Sequence, residues 1–199
     1  LTKSKEEMMR DFILNCCETL FTQHGYKNTS MEKIAEKCEI SKPTLYNYFP
    51  SKTSLFLGLV NRFQNDIAEK GKAIMGQKKD KYLIIEEFID LSIELMQEKR
   101  DFLRMMIREH HLVVNECEDI EEHINAEIRK RQETARELGE FMMDIVRPEI
   151  LGEFSVEMIG MALTTLLEGA FWDSIKGEVN DHEKMKKLIM RLLKNGILA

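Results

Sequence analysis

Only three prolines, Pro43, Pro50 and Pro148, and ten glycines interrupt 199 residues. Sheets need frequent turns, and turns draw on both residue types, so a chain this poor in them is confined to long helices with few breaks. The apolar spacing agrees. Met9, Phe12, Ile13, Cys16, Cys17, Leu20 and Phe21 recur three or four apart and predict a helix over 5–24, closed by Gly25. The same period predicts helices over 31–38, 42–49, 52–75, 80–98, 101–114, 118–146 and 153–174, and a last one opening at Asn180 or Asp181. The expected fold is all-α, with nine helices and no strand.

Charge limits the partners. Against 35 Asp and Glu stand 29 Lys and Arg, a net charge of −6, which rules out a uniformly basic nucleic-acid coat. The acidity is uneven. Residues 1–55 hold eight basic and seven acidic side chains, so the deficit lies in the remainder. No run of about 18 apolar residues predicts a membrane span, and residues 1–7 lack the apolar core of a signal peptide. Four cysteines without a CxxC pair suggest reduced thiols and a cytoplasmic protein.

The informative stretch is 29–56, TSMEKIAEKCEISKPTLYNYFPSKTSLF. Ser30 can cap one short helix, and Ser41 or Lys42 a second, with Pro43 tolerated in its first turn. Two short helices joined by a tight turn form a helix-turn-helix, whose second helix enters the major groove. Leu45 and Phe49, four apart, must face inward, which leaves Lys42, Pro43, Thr44, Tyr46, Asn47 and Tyr48 outside. Tyr hydroxyls and Lys ammonium groups reach phosphate oxygens, Asn pairs with adenine, and Thr or Pro meets a thymine methyl. Lys52 stands at a helix start, where backbone amides already favour a phosphate.

From Phe12 through Leu57 the chain resembles the TetR family of bacterial transcriptional regulators. The resemblance is carried by Leu20-Phe21, Gly25-Tyr26, Thr29-Ser30, Ile34-Ala35, Ile40-Ser41, Thr44-Leu45-Tyr46, Tyr48-Phe49, Ser51-Lys52 and Leu55-Phe56. Pro43 departs from a common Gly, Asn47 from a common His, and Cys38 to Ile40 from the usual Ala-Gly-Val turn, with Glu39 where Gly is common. The resemblance implies a DNA-binding domain over 1–51 and an effector-binding and dimerisation domain over 52–199. It also implies a homodimer on a palindromic double-stranded operator. Thr29, Ser30, Ser41, Lys42, Pro43, Thr44, Tyr46, Asn47, Tyr48 and Lys52 are the expected DNA contacts.

In the C-terminal part, Met158, Ala162, Leu166 and Gly169 with Leu188 and Leu192 form the expected dimerisation faces. Thirteen methionines and the aromatic residues suggest an adaptable pocket for a small apolar or amphipathic effector. Its expected lining is Phe63, Met96, Phe102, Met106, His110, Phe141, Met161, Thr165 and Trp172. Acidic residues near it would favour a cationic amphiphile. His110 and His111, with Glu109, Cys117 and His123, do not have the spacing of a zinc site. They read as one inward and one surface histidine. No nucleophilic triad, P-loop or metal set is present, so no enzyme activity and no cofactor are expected. The function expected is a ligand-responsive regulator, a repressor released by its effector. The alternative is a helical carrier or enzyme with a vestigial DNA-binding domain.

Overall fold

The computed structural model describes residues 4–116, 120–176 and 181–198. These form α1 (Lys5–His24), α2 (Met31–Lys37), α3 (Lys42–Tyr48), α4 (Lys52–Met75), α5 (Lys81–Glu98), α6 (Arg100–Glu116), α7 (Ile120–Met142), α8 (Pro148–Glu153), α9 (Val156–Lys176) and α10 (His182–Leu192). The all-α reading holds, with ten helices among the described residues where nine were expected. The added helix comes from Pro148. It cannot extend the preceding helix, so α7 stops at Met142 and 143–145 tighten into a 3-10 turn. Its preset φ suits the first turn of a new helix, and α8 begins there. Ser155 then accepts the Met158 amide at 3.3 Å and starts α9. An isolated antiparallel bridge joins Val146 to Leu198.

The helices gather into two compact units. The first comprises residues 1–66 and 99–118, the second 67–98 and 119–199. α6 therefore groups with the N-terminal helices, and α4 contributes to both units, a different cut from the functional boundary expected after residue 51.

In the first unit, Phe21, Tyr26 and Phe56 stack at centroid distances of 5.4–6.1 Å, wholly buried with Ile13, Cys17, Ile34, Leu45, Leu55 and Leu59 around them. α6 adds Phe102, Leu103, Met105 and Val113. Polar ties close the unit. Arg62 of α4 donates to Glu18 at 2.6 Å and Asn15 at 2.8 Å on α1, and Lys99 donates to the other Glu18 oxygen at 2.7 Å. Cys16, Cys17 and Cys38 are free thiols in this core, and burial pushes the Cys38 thiol up to about 12. The second unit is built around Ile85, Ile89, Met142, Ile159, Leu163, Ile189 and Leu193. Its dominant contact is α7 on α9. Gly139 and Gly160 bring these two backbones together, since a Cβ on Gly160 would stand 1.8 Å from the Ala135 carbonyl oxygen.

Candidate nucleic-acid interface

α2 and α3 form the expected helix-turn-helix, and its turn has a definable closure. The Ile40 amide reaches the Ala35 carbonyl at 3.1 Å and the Glu39 amide reaches that of Glu36 at 3.0 Å, the paired bonds of a Schellman ending. That ending needs a left-handed residue after the cap, and Glu39 supplies it at φ 55°. A side chain there costs roughly 1–2 kcal/mol. Glu39→Gly is therefore expected to stabilise the unit by about 0.5–1 kcal/mol, less than the whole strain because glycine also frees the unfolded chain. Urea denaturation of the two proteins measures this, and a loss of stability would show that Glu39 makes a compensating contact.

Ser41 caps α3, its Oγ accepting the Thr44 amide at 3.2 Å. Leu45 and Phe49 are buried, at 0% and 2% exposure. Burying Leu45 contributes about 2 kcal/mol and fixes the rotation of the helix. Lys42, Pro43, Tyr46 and Asn47 are consequently exposed on one face, with Thr44 and Tyr48 half-buried at its flanks. Ser30 is half-buried and caps α2 through the Lys33 amide.

Three expected contacts are changed by the surroundings. Thr29 is a correction. It is 2% exposed, and its hydroxyl donates to the Gly25 carbonyl at 2.8 Å, so the side chain closes the end of α1. Lys52 is half-buried. Its ammonium donates to the Tyr26 carbonyl at 3.0 Å and lies 4.1 Å from the centre of the Tyr26 ring. Lys42 donates to Glu32 at 2.6 Å, and that hydrogen bond holds the Glu32 carboxyl down at about 2. A phosphate approaching Lys42 must displace this carboxylate. Glu32→Ala is therefore expected to tighten DNA binding roughly two- to fivefold, as for an exposed ion pair. Fluorescence anisotropy with a labelled duplex reads this, and weaker binding would mean that Glu32 serves the interface.

Sequence spacing gives no sign of Arg10. From α1 it donates to the Tyr48 carbonyl at 2.9 Å and its guanidinium stands 4.5 Å from the Phe49 ring centre. A cation is thus fixed at the C-terminal end of α3, where it complements the helix dipole.

The turn after α1 is braced by α6. Gly25 closes α1 at φ 81°, and the Glu109 carboxylate accepts the Lys27 amide at 3.1 Å. Tyr26 donates its hydroxyl to Glu116 at 2.6 Å and contacts the Thr53 hydroxyl at 3.1 Å. Burial opposes the Glu109 charge, but hydrogen bonds from Arg108 and from the Lys27 and Tyr26 amides outweigh it and hold the carboxyl below its ordinary value. A carboxyl lowered in the folded state stabilises fully above its unfolded pKa, and the contribution vanishes as pH falls through the folded value. Glu109→Gln should cost roughly 1 kcal/mol at pH 7. The difference from wild type should disappear in acid, as followed by denaturation at several pH values.

The expected effector lining is divided between the two units. Phe63, Phe102, Met106 and His110 belong to the first unit, Met96, Phe141, Met161 and Thr165 to the second. Thr165 is exposed and accepts from Arg131 at 3.1 Å. The Trp172 side chain lies outside the described residues. Of the described ones, Phe141 lines the apolar cavity of the second unit. His110 and His111 are both exposed, which corrects the expectation of one inward histidine. Cys117 and the His123 side chain lie outside the described residues, and the described ones contain no metal-holding cluster.

On α9, Met158, Ala162 and Gly169 are exposed, and Thr165 joins them on one stripe. Leu188 and Leu192 are about half exposed on α10. Leu166 is half-buried, packing against the core of the second unit and lining its cavity.

The profile described as "Bacterial regulatory proteins, tetR family" matches residues 13–59, which span most of α1 through the start of α4. The HTH-type transcriptional regulator YuxN of Bacillus subtilis is 31% identical over 114 residues, covering 57% of this chain and 38% of YuxN. The chain thus matches well under half of that relative's length. The nucleoid occlusion factor SlmA of Shewanella woodyi is 23% identical over 142 residues, 68% of this chain and 72% of SlmA. The crystal structure of a TetR-family transcriptional regulator from Pectobacterium atrosepticum superimposes with a TM-score of 0.67 at 17% identity, covering 100% of this chain and 98% of that one. Over residues 13–59, which carry the Schellman turn and the phased recognition helix, the chain is thus similar to the tetR family of bacterial regulatory proteins, and over its whole length it shares the fold of the Pectobacterium regulator.

Proposed function

We propose that the chain is a ligand-responsive DNA-binding transcriptional regulator of the cytoplasm, a repressor that its effector releases from a palindromic operator. The observation that carries this reading is the exposed face of Lys42, Pro43, Tyr46 and Asn47, held in place by buried Leu45 and Phe49. A helix of seven residues with that polar and aromatic face has base-edge and phosphate chemistry and little use as a solvated surface. Two such helices related by a two-fold axis, about 34 Å apart, meet successive major grooves. The exposed stripe of α9 with Leu188 and Leu192 supports the homodimer that would hold them so.

Release requires an effector that prefers a conformation with another spacing, and it weakens DNA binding by its differential affinity for the two states. α4 runs as one helix from the first unit into the second, and it is the natural lever between effector and operator. The test is binding of the purified protein to DNA upstream of its own gene. Tyr46→Ala should weaken binding to all sequences. Asn47→Ala should cost about 1–3 kcal/mol at one base pair and relax the preference there. Equal losses on every sequence for both variants would remove Asn47 from base reading.

A further inference from the structure

The cavity of the second unit has a volume of about 20 Å³, room for little more than one water. Every described side chain in its wall is apolar, among them Met75, Phe88, Phe141, Met142, Leu163 and Leu193. Such a space is dry and offers no hydrogen bond, so a ligand with polar groups along its length would leave them unsatisfied. Two of the wall residues are methionines, whose unbranched side chains repack readily. Phe88 sits directly on Gly71, where even a Cβ would come within 2.7 Å of its ring.

One end of this wall carries a cation. Ile84, Ile85 and Phe88 line the cavity from α5, and Lys81 lies on the same helix face one turn earlier. Its ammonium stands 4.9 Å from the ring centre of Phe141. It donates to the Phe141 carbonyl at 2.6 Å and to Asp144 at 2.6 Å. The Lys81 side chain is 25% exposed and that of Asp144 74%. The lysine is therefore anchored, whereas its carboxylate partner is a solvated and replaceable one.

We propose that this cavity is the closed form of a binding site for straight-chain carboxylates. The alkyl chain enters by displacing Met75, Phe88 and Met142, and the carboxylate takes the place of Asp144 on Lys81. This differs from the cationic ligand expected from the overall acidity, because no carboxylate lines the wall among the described residues and the better-buried member of the ion pair at its end is the lysine. It names the effector class within the regulatory reading above and rests on that reading for its biological consequence, although binding is measurable without DNA.

Calorimetric titration of the full chain with octanoate, decanoate, decanol and decyltrimethylammonium, all below their micellar concentrations, tests it. Affinity should rise roughly fourfold per methylene between the two carboxylates. Lys81→Met should weaken decanoate roughly tenfold or more while leaving decanol within about twofold, the mark of a lost charge-assisted bond. Asp144→Asn, at an exposed position, should tighten decanoate. Absence of binding by either carboxylate overturns the proposal, as does preference for decyltrimethylammonium or indifference of decanoate to both substitutions. If carboxylates fail to bind while operator binding persists, the site assignment falls and the regulatory reading stands. If they bind and leave operator binding unchanged, the site stands and release from the operator by this class of effector falls.

Discussion

Gly160→Ala is expected to destabilise the second unit by roughly 3 kcal/mol, at the top of the range for overpacking. That corresponds to a fall in Tm of about 6–12 °C. The added methyl would lie 1.8 Å from the Ala135 oxygen and 2.7 Å from its carbonyl carbon. Both are backbone atoms, so no side-chain rotation relieves the clash and α7 itself must move away from α9. Gly139 is the reciprocal position, where a Cβ would lie 2.3 Å from the Val156 oxygen. Gly152→Ala is the control. Nothing lies within 4 Å of a Cβ there, and alanine in a helix should stabilise by up to about 1 kcal/mol. Thermal unfolding of both variants gives the comparison. Equal Tm values would mean that the two helices do not cross as closely as the glycines imply.

The second large effect concerns the proposed dimer. Leu188 and Leu192 are 51% and 49% exposed, and Met158 is 58% exposed. A solvated leucine contributes little to a single chain, so replacing both with Glu should leave the subunit's thermal stability nearly unchanged. Two carboxylates buried without partners in a subunit interface would oppose association strongly. The double variant Leu188→Glu, Leu192→Glu should sediment as a monomer at micromolar concentration. Its operator affinity should fall roughly 100-fold or more, because each half-site is then held alone. A dimeric variant with undiminished DNA binding would place the interface elsewhere.

How much of this was legible in advance depended on distance along the chain. The rotation of α3 follows from Leu45 and Phe49, which are neighbours on one helix, and the caps Ser30 and Ser41 follow from local chemistry. α4 was predicted at its observed bounds because Pro50 precedes it and the apolar period runs unbroken. Glu39 could be marked as unusual from its place in the turn, but only the backbone shows that it adopts the left-handed conformation itself. The groups that position the interface were out of reach. Arg10 meets Tyr48 across 38 positions, Glu109 meets Lys27 across 82 and Glu116 meets Tyr26 across 90. Helical periodicity says that a residue faces inward, not which helix it faces. The same ignorance left the expected effector lining drawn from apolar type alone, with residues taken from both units. Thr29 went astray for a different reason, since a threonine after a helix end can use its hydroxyl on the carbonyl four residues back as readily as on a phosphate.

The central claim, that this chain reads DNA sequence through the exposed face of α3, is tested most directly by selection from a random-sequence duplex pool with the purified protein. The prediction is enrichment of an inverted repeat whose half-sites lie about one helical turn apart, with Asn47→Ala losing preference at one position in each half. Recovery of a pool indistinguishable from the input, or the same enriched motif from a protein carrying both Tyr46→Ala and Asn47→Ala, would contradict it.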